Sequence, residues 1–169
     1  IDKDIQLIER YRPWIDIVEL RADFLDPQEL LHIRTFPKIA HIPAILTIRR
    51  FLDGGTFKGG EGSRITLFAR GLAFADTEPL NNFAYLDLES DVQAPSLEEA
   101  AQAFNIGIIR SIHSIKAPIK DIAAKIREIR RTDEEIVKIA YKAENLRDTA
   151  ELFKQAQKID GSHTLIALG

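Results

Sequence analysis

The chain has 169 residues, of which 45% are hydrophobic and 29% are charged, a balance that fits one globular domain with a sizeable core. Its net charge is only −3 and it contains no block of like charges, so nothing in the sequence indicates a nucleic-acid partner. No apolar run approaches the roughly 20 residues of a membrane span. The absence of cysteine excludes disulfides, thiolate metal sites and cysteine nucleophiles, so we expect a cytoplasmic protein.

Helix and strand signals alternate along the whole chain. In its first part the predicted elements are a helix over residues 5–11, a strand over 15–20, a helix opened by a capping box at 26–29, a strand over 43–48, a glycine-rich mobile loop over 53–62 and a helix over 64–75. They continue with a strand over 83–88, a helix opened by a capping box at 96–99, a strand over 106–112, a helix over 118–131, a strand over 135–140, a helix over 146–157 and a strand over 163–168.

This alternation predicts a parallel α/β sheet, because every connection is long enough for a crossover helix. Polar residues fall at or near the carboxyl ends of different strands, where a (β/α)8 TIM barrel places its active site, whereas a doubly wound sheet concentrates ligand contacts at one switch point. These residues are Glu19, Arg21, Arg49, Asp87, Glu89, His113 and Lys138. We therefore predict one barrel domain over residues 1–169, with six of the eight strands identifiable. Because the first and eighth strands are not found, we expect the natural protein to extend at both ends.

Lys138 is the most informative of these residues, because it lies within an apolar, β-branched run. Removal from water disfavours a charged ammonium and favours the amine, which can act as a nucleophile. The alternative is a lysine that extends from a strand end to solvent. His113 ends the preceding strand, and this position favours a functional histidine. The other histidines are interpreted as surface or packing residues, and they are His32, His41 and His163.

The remaining polar residues each have a second interpretation. Glu19 and Arg21 fit an ordinary ion pair at a strand end. Asp87 and Glu89 resemble the paired carboxylates of glycosidases, but their company with histidine and lysine favours a supporting polar layer. The glycine-rich loop lacks the Gly-Lys-Ser/Thr ending of a phosphate-binding loop, so an active-site loop is the better interpretation. Without cysteine or a closely spaced His/Asp/Glu triplet, no metal site is expected.

Five motifs resemble, in order and spacing, those of the type I 3-dehydroquinate dehydratases. They are Val-Glu-Leu-Arg-Ala-Asp at 18–23, Leu-Thr-Ile-Arg at 46–49 with Gly54-Gly55 after it, Leu-Asp-Leu-Glu at 86–89, Ser-Ile-His at 111–113 and Val-Lys-Ile-Ala at 137–140. The resemblance covers nearly the whole chain. It implies a (β/α)8 barrel of the shikimate pathway that uses no metal or nucleotide cofactor and converts 3-dehydroquinate to 3-dehydroshikimate and water through a lysine Schiff base.

The resemblance also implies roles for single residues. Lys138 takes the place of the imine-forming lysine, and His113 that of the histidine that moves protons. Asp53 stands where the family usually has a glutamate that orients this histidine, one methylene shorter. Substrate binding falls to three further residues, which are Glu19, Arg21 and Arg49.

The expected partner is the small-molecule substrate, and a homodimer or a fused shikimate-pathway domain outside this chain is a further implication. The family's arginine for the substrate carboxylate, with the serine and glutamine of its closing loop, would fall beyond Gly169. Two alternatives stay open: a class I aldolase, whose signature is not seen around Lys138, and a non-catalytic barrel domain of a larger shikimate-pathway protein.

Overall fold

The structure, a computed structural model, describes residues 1–73 and 76–169. Its strands are β1 (Val18–Arg21), β2 (Ala44–Thr47), β3 (Tyr85–Glu89), β4 (Gly107–Ser114), β5 (Ile136–Lys142) and β6 (His163–Leu168). Its α-helices are α1 (Asp2–Tyr11), α2 (Phe36–Ala40), α3 (Glu61–Leu72), α4 (Pro95–Ala103), α5 (Ile122–Ile129) and α6 (Leu146–Ala156). None of the helices in this described part of the chain has the length and apolar character needed to cross a membrane.

The six strands form one sheet, in which every neighbouring pair is parallel and the spatial order repeats the chain order. A doubly wound sheet would reverse its strand order at a switch point, whereas a (β/α) barrel adds each strand beside the previous one. Within the described residues β1 pairs only with β2 and β6 only with β5, so the curled sheet is open. The structure confirms the predicted α/β class, with six strands in the order of a barrel.

The sheet face that meets the helices is mostly apolar. Leu20, Leu46 and Leu86 are neighbours across β1, β2 and β3, and all three are buried. Successive side chains of a strand point to opposite sides, so every second residue contributes to this face. Other buried residues continue it, namely Ile48, Leu88, Val137 and Ile139. Burial of such side chains is worth about 1.5–3 kcal/mol each, and this layer therefore contributes strongly to the stability of the sheet.

Polar residues occupy the opposite face of the sheet. Thr47 is in register with Asp87, and Ser111 is in register with both Glu89 and Lys138. Parallel strands end at the same edge of a sheet, so residues that lie far apart in sequence meet in one layer. Three of the predicted polar strand-end residues, Asp87, Glu89 and Lys138, are thereby brought onto one surface.

The helix starts differ from prediction at two places. α4 begins at Pro95 with Ala94 as its N-cap and without a side-chain cap, so the capping box predicted at Ser96 is wrong. The fixed φ of proline suits the first position of a helix, which explains the earlier start. α3 begins three residues before its predicted start, and its predicted end at Ala75 lies outside the described residues.

The capping box predicted at Asp26 is present, although it opens a different element. Asp26 Oδ1 accepts a hydrogen bond from the Glu29 backbone N–H at 2.8 Å, and Glu29 Oε2 accepts one from the Asp26 N–H at 3.3 Å. The segment that follows, Glu29–Thr35, is a 3-10 helix and leads into α2. α5 begins later than predicted, because Asp121 Oδ1 caps it by accepting from the Ala124 N–H at 2.8 Å.

Candidate active site

Lys138 lies in β5 with only 9% of its surface exposed. Its Nζ atom donates to Asp87 Oδ2 at 2.8 Å and to Glu19 Oε1 at 3.2 Å. The apolar neighbours noted in the sequence, Val137 and Ile139, lie on the helix-facing side. The expectation of an apolar environment for the amine is therefore wrong, because strand alternation separates it from these neighbours. The alternative of a lysine that extends to solvent is wrong as well.

Asp87 is the central carboxylate of the site. Its Oδ2 atom accepts from Lys138 and lies 2.8 Å from Nη2 of Arg49, while its Oδ1 atom accepts from Ser111 Oγ at 2.5 Å. Burial alone would raise the pKa of Asp87, but the positive charges of Arg49 and Lys138 outweigh burial and lower it. Asp87 therefore stays ionised and holds the lysine and the arginine at one oxygen atom.

Arg49 lies inside this layer, with 3% of its surface exposed. Besides Asp87 it binds Glu89, where Nη1 lies 2.6 Å from Oε1, and it donates to Ser111 Oγ at 3.0 Å. The other oxygen of Glu89, Oε2, lies 2.5 Å from Nη1 of the buried Arg64 in α3. Positive and negative groups thus alternate from α3 to the lysine, and each buried charge has an opposite partner.

The sequence did not identify three residues of the site. Thr47 donates to Glu19 Oε1 at 2.6 Å, Ser111 bridges Asp87 and Arg49, and Arg64 anchors Glu89. Thr47 and Ser111 could have been found, because strand alternation puts each of them on the polar face. No sequence signal pointed to Arg64, since its contact depends on how α3 packs against the sheet.

His113 follows Ser111 on the same face of β4. Ser111 is in register with Lys138, and His113 is in register with Ala140. The histidine therefore lies two residues further toward the carboxyl end of the sheet than the lysine. Burial lowers the pKa of His113 to about 3, and the charges of Arg49 and Lys138 act in the same direction. Its buried Nδ1 atom has no hydrogen-bond partner within the described residues. The imidazole is therefore neutral at pH 7 and retains a nitrogen that can accept a proton.

Asp53, expected to orient His113, is bound by a different residue. Arg50 Nε donates to Asp53 Oδ2 at 2.6 Å, and the same guanidinium binds Asp91 through two further contacts at 3.0 and 2.9 Å. No hydrogen bond joins Asp53 to the histidine in the described part of the chain, as the unpartnered Nδ1 atom shows. A side chain one methylene shorter than glutamate, held by a neighbouring arginine, explains this arrangement. The orienting role of Asp53 stays a prediction.

Glu19 and Arg21 do not form the ion pair considered for the end of the first strand. Glu19 binds Lys138 and Thr47, whereas Arg21 donates from Nε and Nη2 to the two oxygens of Asp23 at 2.9 and 2.8 Å. Both side chains are one-third exposed, at 33% each, so a ligand can reach them from solvent. They differ in this respect from the buried Arg49.

The carboxylates of this layer are engaged by lysine and arginine side chains. Across residues 1–73 and 76–169, no group of three or more His, Cys, Asp or Glu side chains has the arrangement to hold a metal ion. The site offers an amine, an imidazole and fixed charges.

The strand order and the polar layer at the carboxyl ends define a protein of the (β/α)-barrel class. Within that class, the chain belongs to the type I 3-dehydroquinase family, whose sequence pattern matches residues 1–169.

Relatives of known sequence and structure agree with this assignment. The chain is 35% identical over 153 residues to a 3-dehydroquinate dehydratase of Archaeoglobus fulgidus, covering 90% of this chain and 65% of the relative. It is 31% identical over 159 residues to that of Methanococcus maripaludis, covering 91% of this chain and 68% of the relative. The chain thus spans about two thirds of the length of these curated relatives.

Solved structures show the same fold. The 3-dehydroquinate dehydratase of Enterococcus faecalis superposes with a TM-score of 0.82 at 18% identity, over 99% of this chain and 75% of that one. The enzyme of Aquifex aeolicus superposes with a TM-score of 0.77 at 26% identity, over 99% of this chain and 76% of that one. Only the fold is inferred from the first comparison, because its sequence identity is low.

Proposed function

We propose that this protein dehydrates 3-dehydroquinate to 3-dehydroshikimate through a Schiff base on Lys138. The observation that carries the proposal is the placement of the Lys138 amine between two carboxylates, with a neutral His113 on the adjoining strand. Membership of the type I 3-dehydroquinase family and the names of the relatives support the same substrate. The pathway assignment follows from this substrate and from the family.

The first step is imine formation. Lys138 must lose a proton before its nitrogen attacks the carbonyl carbon of the substrate, and Glu19 Oε1 lies 3.2 Å from that nitrogen. Because the Glu19 side chain is one-third exposed, it can pass the proton to solvent. Attack forms the C–N bond. The former carbonyl oxygen then takes one proton from the nitrogen and one from solvent, the C–O bond breaks as this oxygen leaves as water, and an iminium remains. Asp87 then balances the positive charge of the iminium.

The second step is the elimination. The iminium withdraws electrons from the neighbouring carbon, so a neutral His113 can take a proton from that carbon. The electron pair released there expels the hydroxyl group of the next carbon, and protonated His113 returns its proton to the departing oxygen, which leaves as water. Hydrolysis of the remaining iminium releases the product and restores Lys138.

The three proposed substrate-binding residues differ in their exposure to solvent. Glu19 and Arg21 are accessible and are proposed to bind the ring hydroxyl groups directly. Arg49 is buried, and its terminal nitrogens contact Asp87, Glu89 and Ser111, so its contribution is proposed to come from its charge.

Trapping of the imine tests the proposal. The protein is incubated with 3-dehydroquinate, reduced with borohydride and digested, and the adduct is located by mass spectrometry. We expect the label on Lys138 and none in Lys138→Met. Lys142→Met is the matched control, because Lys142 is an exposed lysine on the same strand and face. A folded wild-type protein without a label on Lys138 would contradict the proposal.

His113→Ala separates imine formation from elimination. Without the imidazole we expect the label on Lys138 to persist while turnover falls by roughly 10²–10⁴-fold, the usual contribution of a general acid-base group. Unchanged turnover would remove the proposed role of the histidine.

A non-catalytic barrel is the competing hypothesis. The unpartnered Nδ1 of His113 and the engagement of Asp53 by Arg50 favour it, because the proton carrier then lacks an orienting carboxylate. Imine formation without turnover in the wild-type protein would support this alternative. A homodimer, a fused domain and a cytoplasmic location stay predictions.

A further inference from the structure

We propose that Asp23 is a positioning residue that presents Arg21 to the substrate and joins the glycine-rich loop to the site. Its side chain is fully buried, at 0% exposure, and its two oxygens accept from Nε and Nη2 of Arg21 at 2.9 and 2.8 Å. A two-point contact of this kind fixes the plane of a guanidinium as well as its position. The inference deepens the proposed function and rests on it.

A second contact restrains the same guanidinium. The Cζ atom of Arg21 lies 4.7 Å from the ring centroid of Phe24, so an aromatic ring covers one face of the group. With one edge bound by Asp23 and one face covered, Nη1 is the free end, and no hydrogen bond from it occurs in the described residues. The pKa of His113 is lowered mainly by burial, and the charge of Arg21 adds to that effect.

Asp23 also holds the glycine-rich loop. Its Oδ2 atom accepts from the Thr56 backbone N–H at 3.1 Å, and its backbone oxygen accepts from Thr56 Oγ1 at 2.5 Å. Its Oδ1 atom accepts from the Arg49 backbone N–H at 3.2 Å. Gly55 permits this approach, because a Cβ atom there would lie 2.2 Å from the Arg49 carbonyl oxygen. One buried carboxylate thus gathers the ends of β1 and β2 and the loop between β2 and α3.

Asp23 stays ionised at neutral pH. Burial would raise the pKa of Asp23, but hydrogen bonds from Arg21, Thr56 and Arg49 outweigh burial and lower it. An ionised Asp23 keeps the bidentate contact, so the orientation of Arg21 depends on the loop that contacts the same carboxylate. We expect substrate affinity to be more sensitive to Asp23 than the chemical step is.

Binding to a variant that cannot form the imine tests this directly. In Lys138→Met, calorimetry measures the Kd of 3-dehydroquinate without turnover. Adding Asp23→Asn should raise Kd roughly tenfold, because a charge-assisted contact is weakened. Asp16→Asn, an exposed carboxylate just before β1, is the matched control and should leave Kd unchanged. In the otherwise wild-type protein, Asp23→Asn should raise KM more than it lowers kcat.

A double-variant cycle distinguishes positioning from general support. In an Arg21→Ala background, Asp23→Asn should weaken binding less than twofold, because the residue that it orients is gone. An equal loss of affinity in both backgrounds would show a merely structural role and overturn the inference. Arg21→Lys keeps the charge and loses the two-point contact, and it should reproduce the tenfold rise in Kd even if Asp23→Asn fails to fold.

Failure of the proposed function gives a different result. If Lys138→Met does not bind 3-dehydroquinate, the substrate assignment fails. The inference that Asp23 presents Arg21 to this substrate then fails with it. Hydrogen exchange at the Thr56 amide then still reports the link to the loop. Faster exchange in Asp23→Asn than in Asp16→Asn would support that link, and equal exchange would overturn it.

Discussion

The Nζ atom of Lys138 and the Oδ2 atom of Asp87 lie 2.8 Å apart, although 51 residues separate the two in the chain. The Asp87 side chain is fully buried, and the same oxygen lies 2.8 Å from Nη2 of Arg49. One carboxylate therefore balances two buried cations. The ion pair is a property of the sheet register, which places β3 two strands from β5.

Removal of this carboxylate should destabilise the fold. Asp87→Ala leaves the charges of Lys138 and Arg49 poorly compensated, so we expect the free energy of unfolding to fall by about 3–5 kcal/mol. Urea denaturation measures it. Asp133→Ala, at an exposed position, should change stability by less than about 0.5 kcal/mol. A similar small change for Asp87→Ala would contradict the structural role given to this residue.

His113 should make the protein sensitive to mild acid. Its pKa is about 3 in the folded state and near 6.5 in an unfolded chain, so the unfolded state binds more protons between these values. Stability contributed by the neutral imidazole is therefore present above pH 6.5 and is lost as the pH falls toward 3. Between pH 7 and pH 5 the expected loss is about 2 kcal/mol.

Urea denaturation at several pH values checks this expectation. His113→Gln should flatten the dependence between pH 7 and pH 5, a range above the ordinary pKa values of aspartate and glutamate. His32→Gln, at an exposed position, is the matched control and should retain the wild-type slope. A wild-type slope in His113→Gln would exclude the imidazole as its source.

Lengthening Asp53 should supply the partner that His113 lacks. The loop lies close to the end of β4, because a Cβ atom at Gly54 would be 3.4 Å from Ile115 Cγ2. In Asp53→Glu we expect a carboxylate to reach Nδ1 and raise the pKa of His113 by roughly one to two units, the worth of a charge-assisted hydrogen bond. Titration of the imidazole by NMR measures it, and turnover should rise with it. Asp91→Glu lengthens the other carboxylate bound to Arg50, and an equal shift there would refute the expectation.

A second buried ion pair should affect stability alone. Arg110 lies on the helix-facing side of β4, and its Nη2 atom is 2.5 Å from Oε1 of the buried Glu135. Glu135→Ala should lower the free energy of unfolding by about 3–5 kcal/mol, because the buried arginine loses its short contact and keeps the longer one to Glu98, in which Nη2 lies 3.4 Å from Oε1. The kcat and KM of the folded fraction should stay at wild-type values. The exposed neighbour Glu134→Ala is the control, and a changed KM in Glu135→Ala alone would connect this pair to the site.

The strands could be predicted well, for a local reason. The strands carry β-branched and apolar residues on one face, and the first five end in a polar residue. Both features are visible within a few neighbouring positions. All six predicted strands are present, in the predicted parallel arrangement. Helix ends were less certain, as α4 shows, because proline and serine compete for the same terminal positions.

The pairing of charges could not be predicted in the same way. Arg21 binds Asp23 instead of Glu19, Arg50 binds Asp53, and Arg64 reaches Glu89. The first two pairs are close in sequence and are selected by side-chain reach, whereas the third depends on how α3 packs against the sheet. The ion-pair network around Lys138 is the largest feature of the site that the sequence did not predict.

By itself the sequence determined the order of the elements and the polar ends of the strands, because these follow from periodicity and residue type. Only the tertiary structure decided that Lys138 lies between Glu19 and Asp87, that Arg49 is buried and that Asp23 holds Arg21. Register and strand alternation make that difference. Register and alternation decide which side chains, distant in sequence, share a face of the sheet. Once such a side chain is buried, its charge requires a specific partner of opposite sign.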